Sequence, residues 1–140
     1  MENHFQLTDA EFEKQFEEGT LSPDLFSHEA HLRLAWIHIK NYGIKKAIDN
    51  VCLQIKTFAT AQGAADKFNM TVTTAAVRAV YHFILKSKST NFKDFAEENP
   101  RLKNCFKQLL DAHYDLDIFK SELARNEYVE PDLLPFDEVE

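Results

Sequence analysis

Between Ile44 and Ala59, apolar side chains return every three or four residues: Ile44, Ala47, Ile48, Val51, Cys52, Ile55, Phe58 and Ala59. That spacing lays one continuous apolar face along a helix running from Ile44 to Gln62. Lys45, Lys46, Asp49, Asn50 and Lys56 fall on the wet side. Such a face has to be covered by other elements. The chain has only three glycines and four prolines, too little turn material for a many-stranded sheet. At 140 residues and 44% apolar content it has the length and material for one real core. The expected fold is all-α, a compact single-domain bundle of about six helices over residues 1–126. Residues 127–140 read as an acidic, Pro-containing C-terminal tail, either extended on the surface or disordered.

The remaining helices carry their own start and stop signals. Thr8-Asp9-Ala10-Glu11 is a capping box, Phe12 and Phe16 share the face that follows, and Gly19 is a natural stop. Ser22-Pro23 opens a second segment that reaches Tyr42, either as one helix or as two with a break near Ser27. Its apolar stripe is Leu25, Leu32, Ala35, Trp36 and Ile39, with His28 within it and Gly43 ending it. Thr71 to about Lys86 is apolar around most of its circumference, the pattern of a central helix. Phe92 to Glu98 is a short helix stopped by Asn99-Pro100. Arg101–Tyr114 and Asp117–Asn126 complete the count.

The formal charge of -7 removes the basic surface that nucleic acid or an anionic membrane would require. No stretch reaches the roughly 18 apolar residues of a membrane span. Met1-Glu2-Asn3-His4-Phe5 carries neither a basic nor an apolar leader signal. Cys52 and Cys105 form no metal-like spacing, and Cys52 falls on an apolar face as a buried free thiol. A reducing cytoplasm is the expected setting.

The residues with chemical potential sit mainly in Phe26-Ser27-His28-Glu29-Ala30-His31. On a helical wheel His28 lies in the apolar stripe, and His31 and His38 lie together about 60–80° to one side. All three could face one cavity wall, with small Ala35 leaving room. Two imidazoles three residues apart can reach one divalent transition metal, which makes His28 and His31 candidate metal ligands. That set needs completing, and His82 and His113 are the other helical histidines. The competing reading is that each histidine bonds a carbonyl or carboxylate in a helix seam. His28-Glu29-Ala30-His31 is one residue short of the zincin spacing. There is no Gly-rich phosphate loop, nucleophile elbow, Cys-x-x-Cys or di-iron signature. Ser27 reads as an N-cap.

Asn69, Thr71 and Thr73 stand at the start of the Thr71–Lys86 helix, where free N–H groups can receive an anion or simply be capped. Arg125 stands near a helix C-terminus, where it suits the dipole and could also clamp a carboxylate.

Three blocks together resemble a family of small, mostly bacterial, uncharacterised helical proteins with the patterns F-x-H-x-x-H-L-R-x-A, Y-H-E-T-x-T, and S-x-x-L-x-x-x-A-R followed by P-D. The first block is Phe26 to Ala35, and the third lies near Ser121, Leu123, Ala124, Arg125, Pro131 and Asp132 with looser spacing. The middle block departs: Phe68-Asn69-Met70-Thr71 replaces Tyr-His-Glu-Thr. The resemblance implies a pocket at this junction. The missing His and Glu weaken the case for chemistry in it.

Two functions compete. One is a small-molecule pocket walled by His28, His31, His38, Asn69, Thr71, Thr73 and Arg125, enzyme-like or metal-binding but incomplete. The other is a non-catalytic interaction or regulatory module with structural histidines, for which Ile37, opposite the apolar stripe, hints at a second buried or partner-facing surface.

Overall fold

The computed structural model describes residues 3–136. Among them are eight α-helices and no strand. The capping box forms as read: Thr8 Oγ1 accepts from Glu11 N, and the Glu11 carboxylate accepts from Thr8 N. It starts α1 (Asp9–Glu18), which buries Phe12 and Phe16. The second segment does break near Ser27. Pro23–Leu25 makes one 3-10 turn, and Ser27 then caps α2 (His28–Tyr42) through Ala30 N. Gly43 joins α2 directly to α3 (Ile44–Ala61) with φ of +85°, a conformation that a Cβ would strain. Asn69 caps α4 (Met70–Lys86).

The centre of the bundle differs from expectation. Its core is the α2–α3–α4 unit, with α1, α5 (Phe92–Glu98) and α6 (Pro100–Asn104) also against α2. Packed on so many sides, α2 buries Glu29, Ala30 and every residue from Leu32 to Ile39. It is therefore α2, and not α4, that is enclosed all round. Ile37 is core at 1% exposure rather than a partner-facing residue.

The single helix read over Arg101–Tyr114 is two. Cys105 leaves helical geometry at φ -131°, ψ 32°, separating α6 from α7 (Phe106–Asp111). The last helix is also shorter than read: α8 spans Glu122–Asn126, capped by Ser121. These breaks take the helix count above six. A smaller core of Ala75, Leu110, Tyr114, Ile118 and Ala124 lies under α7 and α8.

Residues 127–136 run extended and are fastened down. Thr71 Oγ1 donates to Glu127 O and accepts from Val129 N, and Tyr114 donates to Val129 O at 2.7 Å. The rest of the expected tail, residues 137–140, lies outside the described residues. No helix among the described residues is long and apolar enough to cross a membrane. Both cysteines are free, and Cys52 is buried as expected.

One buried charge organises the N-terminal side. Arg33, 4% exposed, donates to the carbonyls of His4 (2.7 Å) and Leu7 (2.8 Å) and to the Asp9 carboxylate (2.8 Å). Its guanidinium lies against the rings of Phe5 and Phe12. Buried His4 meets the Glu29 carboxylate at 2.8 Å, and Lys103 reaches the other Glu29 oxygen. Arg33→Ala would leave the Leu7 carbonyl without its donor, take one of two from the His4 carbonyl, and open a void beside two phenyl rings. It should cost about 3 kcal/mol in chemical denaturation. Arg33→Lys should recover only part of that, because an ammonium cannot serve three acceptors in the guanidinium's planar fork.

Candidate functional site

α2, α3, α4 and α7 enclose a cavity of about 380 Å³, with the 3-10 turn Ala65–Lys67 and Phe119 at its rim. Its lining includes both His28 and His31, together with Asn69 and Thr73. The pair and the start of α4 therefore meet at one cavity. The walls are otherwise mainly apolar, among them Leu32, Ala35, Ile55, Val72, Phe106 and Phe119.

His28 is the first residue of α2 and faces the α6–α7 break. Its Nε2 lies 3.1 Å from Leu102 O. In an unbroken helix that carbonyl would accept from Phe106 N. With the chain turned at Cys105 the imidazole serves it instead, and the Phe106 ring packs 4.9 Å from His28. A carbonyl only accepts, so His28 Nε2 carries hydrogen.

His31 is held differently. Its Nδ1 lies 2.8 Å from Ser27 O, so Nδ1 carries the hydrogen. One ring face stacks on Phe26 at 3.7 Å between centroids, and Phe26 packs in turn on Phe16 and Phe58. Burial, with a smaller push from His28, lowers its pKa to about 4 despite the Ser27 bond that favours protonation. The ring is neutral at physiological pH. No hydrogen bond from a described residue reaches Nε2, which keeps its lone pair.

Asn69 is at the cavity but spent: Oδ1 accepts from Val72 N and Nδ2 donates to Ile118 O at 2.8 Å. Thr73 lines the wall. Three expected contributors are elsewhere. His38 shares the wheel direction of His31 but sits seven residues, about 10 Å, further along α2. There it is buried at 1% exposure, near Asn50 and Tyr42, and burial lowers its pKa against the pull of Glu13 and Glu17. Thr71 faces the C-terminal segment, where its hydroxyl is fully used. Arg125, on α8, does not line the cavity.

The metal reading gains no further ligand. Among the described residues no group of three or more His, Cys, Asp or Glu could hold an ion. His82 and His113 line a separate cavity of about 440 Å³. Lys67, Phe106 and Phe119 belong to the site and were not singled out from the sequence. Only the break at Cys105 turns Phe106 inward, and no Gly or Pro marks that break. No protein-family model, curated protein or solved structure matches this chain.

His31 and His38 both have lowered folded-state pKa values. Between the ordinary histidine value and the folded value, the unfolded chain binds protons that the folded chain does not. Stability should therefore fall as pH drops from about 6.5. For His31 the fall runs to about 4. Urea melts across that range should show the slope. His31→Phe should reduce it and leave the His38 share, and NMR of the unmutated protein should show His31 as the Nδ1–H tautomer at pH 7.

Proposed function

We propose that this chain binds a small, largely apolar organic molecule in the cavity walled by His28 and His31. The observation that carries this reading is that both histidines, Asn69 and Thr73 line one apolar cavity of about 380 Å³. That volume is within the range of small-molecule sites, and a few polar groups on apolar walls are their usual make-up.

Binding fits the residues better than catalysis. Among the described residues no carboxylate, serine or cysteine lines the cavity. A general base works best with a pKa near the working pH, and His31 is held far below it. Two imidazoles without a third protein ligand fall short of a zinc site.

A thermal-shift screen of small acids, phenols, indoles and aliphatic alcohols tests the reading. At least one class should raise the melting temperature, since a ligand at a hundred times its Kd stabilises by about 2.7 kcal/mol. Ala76→Phe, which puts a phenyl ring into the cavity, should keep the fold and abolish the shift. Elemental analysis after incubation with Zn, Ni or Cu should find metal well below one per chain. No shift with any class, or stoichiometric metal, would overturn the proposal.

A further inference from the structure

We propose that the occupant of this cavity is an uncharged molecule with an apolar body and one O–H or N–H group, of the phenol or indole class, which donates to Nε2 of His31. This rests on the ligand-binding reading above and names the chemistry that the cavity selects.

Most polar atoms at the cavity are already engaged. Asn69 has both ends of its amide engaged, to Val72 N and Ile118 O. His28 has Nε2–H committed to Leu102 O and so keeps Nδ1 as a second acceptor, while the Thr73 hydroxyl on the wall can both donate and accept. The Nδ1–H of His31 is committed to Ser27 O at 2.8 Å. What remains of His31 is Nε2, an acceptor with no partner among the described residues.

An acceptor selects by complement. A molecule offering O–H or N–H satisfies it, whereas an ether or hydrocarbon of the same shape leaves it unpaired in an apolar setting. A carboxylate is worse, because its oxygens meet the lone pair with no hydrogen between them. Protonating the ring would remove that repulsion, but burial, with a smaller push from the nearby His28, keeps it neutral. Among the described residues Lys67 is the only formal cation in the lining, and it is exposed at the rim. An anion paired there would sit in water and leave its apolar body to meet the unpaired acceptor.

The flat ring of the proposed class suits the walls. Phe68, Phe106 and Phe119 contribute aromatic surface, and Ala35, Ala76 and Val77 leave room for a planar guest.

The test is a matched set measured by isothermal titration calorimetry at pH 7: 4-propylphenol, its methyl ether 4-propylanisole, and 4-propylbenzoate. The phenol should bind at least about fivefold more tightly than the ether, the value of one hydrogen bond to an otherwise unpaired acceptor. The benzoate should bind most weakly. The phenol should also move the 15N resonance of His31 Nε2, which the ether should leave in place. In His31→Phe, which keeps a ring to stack on Phe26, phenol and ether should bind equally. Equal binding of phenol and ether to the unmutated protein, or tightest binding by the benzoate, overturns this inference while leaving a ligand cavity. Failure of all three to bind, with no shift in the broader screen, overturns the ligand-binding reading itself.

Discussion

A single guanidinium ties the segment from His4 to Asp9 to the middle of the molecule. Arg33 lies on the most enclosed helix, and its donors reach His4 O, Leu7 O and the Asp9 carboxylate. Asp9 is the first residue of α1, so the same group that closes the N-terminal segment also fixes where α1 begins. One turn earlier on α2, Glu29 receives His4 and Lys103. Lys103 belongs to α6, and His28 bonds to Leu102 on that same helix. The first turns of α2 are thus held by charge on one side and by a backbone carbonyl on the other. The cavity inherits its shape from that clamp, because His28 and His31 project from those same turns.

Glu29 and Arg33 are four residues apart, the spacing of an ordinary surface ion pair along a helix. In the fold both reach His4 and other distant partners, 24 to 29 residues earlier for Arg33, and 25 residues earlier and 74 residues later for Glu29. A buried charge survives only with partners that its own helix does not supply. Local spacing is silent about such partners, which is why this cluster was illegible in the sequence. The caps were legible for the opposite reason. Thr8 with Glu11, Ser27 with Ala30 and Asn69 with Val72 are satisfied within three residues.

The site was legible in part, along the same division. A helical wheel gives direction, and direction sufficed to bring His28 and His31 to one wall. It omits height, so His38 shared the bearing of His31 while lying two turns away among α1 and α3 residues. Thr71 and Thr73 show the complementary limit. Two residues apart on α4 they point in widely different directions, and only Thr73 meets the cavity. The break at Cys105 had no glycine or proline to announce it. It follows from tertiary demands: His28 occupies Leu102 O, and the Phe106 ring is needed as cavity wall.

The two histidines resemble metal ligands in one respect, since each gives its ring N–H to a main-chain carbonyl and keeps a lone pair. What separates this site from a metal centre or an acid–base centre is the company they keep. Among the described residues no third His, Cys, Asp or Glu joins them, and Asn69 turns its amide to the backbone of Val72 and Ile118. The bond to the Ser27 carbonyl raises the basicity of His31 by less than burial lowers it, and its pKa settles near 4. The same burial that makes His31 a poor base sets it in a wall of mainly apolar side chains. An unpaired acceptor matters most in such surroundings, because water cannot compensate for a ligand that lacks the donor. In the proposed reading, low basicity and selectivity for a neutral donor share one physical cause, the burial of His31.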